Sequence, residues 1–167
     1  VVGGGNVAMD GARTALRMGA ETTIVYRRGR DEMPARAEEI RHAEEEGINF
    51  ALLTNPVRVL GENGKVTGIE CVKMALGEPD ESGRRRPEEI KGSNFVIDCD
   101  MVIIAVGTSP NPIITSSFKA LQTGRKGTLV IDDKGETSVE NVYAGGDAVT
   151  GAATVILAMG AGKLAAK

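Results

Sequence analysis

The chain has 167 residues, room for one domain and part of a second, and 41% of them are hydrophobic, enough for a core and too many for wholesale disorder. Its net charge of −3 lacks the basic excess that a nucleic-acid partner requires, and no apolar run is long enough to imply a membrane partner. Glycine is abundant at 22 residues while aromatics make up only 3%, a balance that suits backbone lying close to ligands better than an aromatic groove.

Val1-Val2 reads as a strand stub running into a glycine cluster. From Val7 to Met18 small and apolar residues recur at helical spacing, and Gly19 suits the residue just past a helix end. "TTIVY" (22–26) is β-branched and predicts a second strand. "ARAEEIRHAEEEG" predicts a charged helix ending at Gly47, and "INFALL" a third strand. Strands alternating with helices imply a parallel sheet covered by helices. The texture then changes. Two strand-like runs joined by Asn63-Gly64 give the strongest short hairpin signal, and 57–98 is expected to form an antiparallel flap. Within it "GEPDESGRRRPEEIKGSN" predicts a charged loop in which Arg84–Arg86 are solvated rather than a binding patch. "MVIIAV" is apolar throughout and predicts a strand buried on both faces. After Gly107 come a turn-rich joint "TSPNP", a strand "TLVID", a turn at Lys134-Gly135, a strand "NVYAGGD" and a small-residue helix "AATVILAMGAGKLAA".

Gly3, Gly5 and Ala8 match G-x-G-x-x-A between a strand and a helix, the context that gives this motif meaning. Gly3 would allow the tight turn, Gly5 the approach of a pyrophosphate, and Ala8 close packing of helix on strand. Amides at the helix start would then hold the phosphate. The plain alternative is a glycine-rich turn without ligand. Asp10, in the same helix, is read either as tuning the ligand's charge or as a solvent-facing acid. About 20 residues on, where a binder of NAD(H) places a carboxylate, the chain has Arg27-Arg28. Paired guanidiniums suit a 2′-phosphate, so NADP(H) is expected, with Arg30 as a third contact; the alternative is a solvated basic loop. The single histidine, His42, lies among charges and is read as a surface residue. Cys71 and Cys99 belong to no C-x-x-C pair and are read as reduced thiols of a cytoplasmic protein. No catalytic side chain and no metal ligand is named. At Gly146-Asp147 a strand ends in a glycine and a carboxylate before a small-residue helix; by itself this is a weak motif, and an acid there is more often a cap.

Four stretches in this order, "GGGNVAMD", "VYRR…EMPA", "AVGTSPNP" and "GGDAVTGAATVILAMGAGKLAA", resemble the small (beta) subunit of glutamate synthase and its relatives, among them the NADPH-binding subunits of ferredoxin:NADP transhydrogenases and the N-terminal part of dihydropyrimidine dehydrogenase. The resemblance spans essentially the whole chain. It implies a Rossmann-like NADPH domain over 1–109 and the C-terminal part of an FAD-binding domain over 110–167, an α/β architecture overall. It also implies that Gly3, Gly5, Asn6, Val7, Arg27 and Arg28 bind NADPH, that Gly107 lines the nicotinamide side, and that Gly146, Asp147, Ala153 and Thr154 contact FAD. The expected activity is hydride transfer from NADPH to FAD, then electron transfer to iron–sulfur clusters and to the large subunit or another electron-accepting subunit. The family's first FAD-binding unit and its iron–sulfur region precede the position where this sequence starts, so both ends are expected to be cut. A rival reading is a module that binds nucleotide and catalyses nothing. An exposed edge at a cut first strand predicts pairing into a homodimer.

Overall fold

A computed structural model describes all residues except 80–82, 84, 125 and 167. Val1–Val106 and Gly107–Lys167 form two separate compact units.

In the first unit, helix α1 (Asn6–Arg17) follows the glycine cluster, strand β1 (Thr23–Val25) comes next, a short 3-10 turn spans Arg30–Glu32, and helix α2 (Ala37–Glu45) leads to strand β2 (Asn49–Ala51). These elements fall where the hydrophobic periodicity puts them. Gly19 and Gly47, both at positive φ, sit just beyond the helix ends, as residues that leave a helix through the left-handed region do. Val2 pairs in parallel with Val25 on one side and Ile104 on the other, and β1 pairs in parallel with β2. Numbered along the chain, the four segments lie in the order 3-2-1-4, one half of a doubly wound nucleotide-binding sheet. Alternation along the strands divides the core. Ile24 faces α1 and α2 with Ala8, Met9, Ala12, Ile40 and Ala43, while Val2 and Val25 face away, onto Ile69 and Cys71. Fully burying a side chain such as Met9 or Ile24 contributes about 1.5–3 kcal/mol.

The opposite face is covered by an antiparallel sheet of strands β3 (Thr54–Glu62), β4 (Lys65–Pro79), β5 (Arg85–Glu89) and β6 (Phe95–Asp98), with β4 pairing all three others. Its tight turn is the expected one: Asn63 and Gly64 have φ of +52° and +76°, the signs a two-residue hairpin needs. The expectation of a loop across 77–94 holds over 90–94 but not before it, because β4 runs to Pro79 and Arg85–Glu89 forms β5. Charged residues form a strand there because β5 is an outer strand, whose solvent face accepts charge. Arg84 lies outside the described residues. The expectation for "MVIIAV" is also corrected, since Met101, Ile104 and Val106 are exposed at 67%, 59% and 57%. Among the described residues this segment has a strand neighbour only at Val2, and only Val102 and Ala105 pack onto the two core clusters.

Val2 is correspondingly not an edge. Its amide donates to Ile103 O and its carbonyl accepts from Ala105 N, both at 2.8 Å, while the Val25 amide donates to Val1 O at 2.8 Å. The edge at Val2 on which homodimer formation was expected is therefore filled by the chain's own segment at Ile103–Ala105.

Among its described residues the second unit has helices α3 (Pro112–Ser117), α4 (Asp147–Thr150) and α5 (Val155–Ala165) and three isolated antiparallel bridges, Thr123 with Leu129, Ile131 with Thr137, and Glu136 with Tyr143. The strands expected at "TLVID" and "NVYAGGD" are present only as these bridges. The turn at Lys134-Gly135 forms, with Asp132 Oδ1 accepting from the Lys134 and Glu136 amides at 2.9 and 2.8 Å. The turn-rich joint is irregular over 108–111 as expected, and helix α3 begins at its last residue, Pro112. Asn111 caps it by accepting from the Ile113 amide at 3.0 Å, and Pro112 occupies its first turn.

Candidate functional site

The carboxyl ends of the parallel strands bring three short segments together. Gly3–Asn6 follows Val2, Tyr26–Arg28 follows β1, and Ala105 follows Ile104. The Gly3 amide donates to Val25 O at 3.0 Å, holding the glycine turn against the strand that leads into the arginines. This is the switch point of the sheet, where doubly wound folds bind ligands.

Each glycine of the turn has its own physical reason. Gly3 has φ of +143°, and a Cβ there would lie 2.3 Å from the Ala105 carbonyl oxygen. A Cβ at Gly4 would stand 2.6 Å from the Tyr26 ring. Gly5 differs: a Cβ there would meet nothing nearer than Pro34 Cγ at 3.9 Å. The fold therefore demands glycine at 3 and 4, whereas at 5 the space is open. That is the expected condition of a glycine kept for close approach of a ligand. Gly5 caps α1, and the Asn6 and Val7 amides begin the helix with no preceding turn to bond. Val7 is 70% exposed there, and the Asn6 side chain accepts from the Arg36 amide at 2.9 Å, tying the start of α1 to the start of α2.

Arg27 is exposed and Arg28 half-buried. The backbone around them is fixed from the flap side: the Leu53 amide donates to Arg28 O at 3.1 Å and the Thr54 amide to Tyr26 O at 3.0 Å. Arg28 Nε donates to the carbonyl of Arg85 at 2.9 Å. Arg30, expected as a third phosphate contact, is instead forked onto Glu44 of α2, with Nη2 to Oε2 at 2.8 Å. Asp10 is exposed on α1. Sequence reading missed three residues that shape this site. The buried Tyr26 hydroxyl donates to Glu32 O at 2.7 Å, the Glu32 side chain is only 7% exposed, and Arg85 Nε donates to Glu32 Oε1 at 2.7 Å. The only signal for Tyr26 and Glu32 was their place inside "VYRR…EMPA"; Arg85, expected to be solvated in a charged loop, instead reaches Glu32 from a distant strand.

Gly107 begins the second unit in open space, with nothing within 4 Å of a Cβ added there. The four remaining expected residues lie together in that unit. Gly146, Asp147, Ala153 and Thr154 line one pocket of about 450 Å³ with Gly145, Val155, Ala158 and Gly162. Gly146 is buried at φ +65°, and a Cβ on it would lie 3.2 Å from Ala158 Cβ, so this glycine serves both the turn and the seating of α5. Asp147 Oδ1 accepts from the Ala153 amide at 3.3 Å, and Thr154 caps α5 by accepting from Leu157 N. Asp147 is thus a loop-closing acceptor with its side chain exposed at the pocket.

A 3-2-1-4 parallel arrangement with a glycine turn at its switch point defines a dinucleotide-binding fold. The model of the pyridine nucleotide-disulphide oxidoreductase family matches residues 1–162, and the chain belongs to that family. The chain is 48% identical to the beta subunit of an NADP(+)-dependent formate dehydrogenase of Moorella thermoacetica, over 99% of this chain and 24% of that protein. It is 42% identical to a glutamate synthase [NADPH] small chain of Halomonas elongata, over 99% of this chain and 36% of that protein. Among solved structures, T. acidophilum thioredoxin reductase superposes with a TM-score of 0.75 at 25% identity, over 99% of this chain and 49% of that one. The chain thus spans a quarter to a half of the length of these proteins.

Proposed function

We propose that the chain forms the NADPH-binding domain and the closing segment of the FAD-binding domain of a flavoprotein oxidoreductase subunit, of the kind found as the small subunit of glutamate synthase. The observation that carries this reading is the juxtaposition of the glycine turn with Arg27-Arg28 at one end of one sheet, joined by the 3.0 Å bond from the Gly3 amide to Val25 O. The residues fit such ligands. The space over Gly5 is open to a pyrophosphate, the Asn6 and Val7 amides point a helix dipole at it, and Arg27 and Arg28 offer charge-assisted donors to a 2′-phosphate. Gly107 would line the nicotinamide side. Gly146, Asp147, Ala153 and Thr154 would line the flavin site, with Asp147 accepting from polyol hydroxyls. When both cofactors are bound, the nicotinamide supplies a hydride to the flavin, and iron–sulfur clusters elsewhere in the subunit supply one-electron transfer. The chain's own residues bind and orient; none is required to move a proton.

The partner is an electron-exchanging subunit, the large subunit of glutamate synthase in the first reading. A second reading has specific support: the relative at 48% identity is named as a formate dehydrogenase subunit, so electrons would enter from that partner and leave on NADP(+). A disulfide as acceptor is disfavoured, since the sequence has no C-x-x-C pair. A cytoplasmic setting follows from the same reading.

Calorimetric titration with NADPH and with NADH at matched salt tests the site, with the Arg27→Ala/Arg28→Ala double variant as control. NADPH is expected to bind at least about tenfold tighter, roughly 1.4 kcal/mol, and the double variant to lose that margin. Equal affinities in the unaltered chain would overturn the reading. Flavin retained on purification would extend it to the second unit, and a colourless protein would confine it to nucleotide binding.

A further inference from the structure

We propose that Arg85 is a positioning residue for cofactor preference, acting from the flap: its guanidinium neutralises Glu32 and its carbonyl orients Arg28. This rests on the NADPH reading above and goes beyond it, because no part of that reading involves β5.

Glu32 stands where an acid is least welcome in a 2′-phosphate site. It lies on the 3-10 turn just after the arginines, is only 7% exposed, and its carboxylate is packed against the arginine loop, with Oε2 2.8 Å from where a Cβ of Gly29 would be. An uncompensated carboxylate there would oppose the phosphate in two ways. It would repel a dianion directly, and it would compete with that dianion for the guanidinium forks of Arg27 and Arg28. A cationic partner hydrogen-bonded to such a carboxylate offsets its charge.

Arg85 supplies one. Its Nε donates to Glu32 Oε1 at 2.7 Å, while its own carbonyl accepts from Arg28 Nε at 2.9 Å. One residue of β5 therefore touches both the acid and the selective arginine. The flap can deliver it because β4 and β5 pair through Leu76 and Pro87, and Leu76 Cδ1 itself lies 3.5 Å from the Gly29 Cβ position. The Tyr26 hydroxyl on Glu32 O and the Tyr26 ring against Gly4 extend the same contact set to the glycine turn.

The test is a double-mutant cycle in the full 167-residue chain, read as NADPH and NADH affinities by calorimetry, with circular dichroism to confirm folding. Arg85→Ala is expected to weaken NADPH by about tenfold while leaving NADH nearly unchanged, since only NADPH brings a 2′-phosphate to the arginine loop beside Glu32. Arg85→Ala/Glu32→Gln is expected to restore the NADPH preference, because removing the carboxylate removes the need for Arg85. A purely structural role for Arg85 would weaken both cofactors alike and would not be rescued by Glu32→Gln; either result overturns the proposal. If Arg85→Ala does not fold, Arg85→Gln keeps a donor without the charge, and the same loss is expected. A preference that survives Arg85→Gln overturns the proposal alone, whereas an unaltered chain with no preference overturns the NADPH reading and this proposal with it.

Discussion

Three consecutive glycines make the turn, and each answers to a different neighbour. Gly3 is required by the Ala105 carbonyl and by its own φ, and Gly4 by the Tyr26 ring, which the bond from its hydroxyl to Glu32 O prevents from moving aside. Gly5 has no such neighbour. Substituting Ala at 4 and at 5 should therefore give opposite results. Gly4→Ala is expected to destabilise the first unit by about 1–3 kcal/mol in urea unfolding, the usual range for overpacking against a fixed group. Gly5→Ala is expected to change stability by about 1 kcal/mol or less, as befits an N-cap swap, yet to weaken NADPH about tenfold or more because the methyl occupies the phosphate's approach. If Gly5→Ala binds NADPH normally, the open space over residue 5 is not where the pyrophosphate sits.

At the scale of elements, α1 and α2 are clamped by a charge cluster on their outer side. Arg13 donates to Glu39 at 2.8 Å and to Glu46 at 2.7 and 3.0 Å, and Arg17 donates to Glu46 at 2.7 Å. Hydrogen bonds first from Arg13 and then from Arg17 lower the Glu46 carboxyl from 4.5 to about 2. The sign follows from linkage: below about pH 4.5 the unfolded chain takes up a proton that the folded chain refuses until about pH 2. This contribution is thus complete above the ordinary carboxyl range and disappears as pH falls from about 4.5 to about 2. Glu46→Gln should flatten the urea-midpoint profile in that window and leave its slope near neutrality unchanged. An unaltered acid limb in the variant would show that other carboxyls govern it. The flap is the second decisive element. Its base is bonded to the backbone of Tyr26 and Arg28, so the strand end that carries the arginines is held by residues that come later in the chain.

At the scale of the molecule, both buried clusters draw all their residues from Val1–Val106. A chain ending at Val106 is expected to unfold in one cooperative transition, at the same midpoint as that unit in the full chain, and to retain the NADPH preference. Gradual, non-cooperative melting would show that 107–167 completes the core. In the second unit the helix α5 rests its alanines on glycines: Cβ atoms added at Gly135, Gly145 and Gly146 would meet Ala165, Ala161 and Ala158 at 3.2, 2.9 and 3.2 Å. Its large residues lie outside, Val155 and Ile156 at 76% and 80% exposure. Small residues chosen for close approach explain why so apolar a helix buries so little.

Much of the first unit was legible in the sequence, because it is written in local terms. Helical spacing gave α1 and α2, a β-branched run gave β1, the short run "INFALL" gave β2, Asn63-Gly64 gave the hairpin, and G-x-G-x-x-A with Arg27-Arg28 gave the candidate nucleotide site. Each of these signals needs only neighbours a few residues away, or one strand–helix unit. What the sequence could not determine is which charges meet and which strand lies beside which. Only the tertiary structure decided that Arg30 is taken by Glu44, that Arg85 crosses from β5 to Glu32, and that Val2 is enclosed between Val25 and Ile104. The reason is physical: charge has no periodicity, so an ion pair or a parallel pairing between distant segments leaves no local pattern and exists only once packing has brought the partners together.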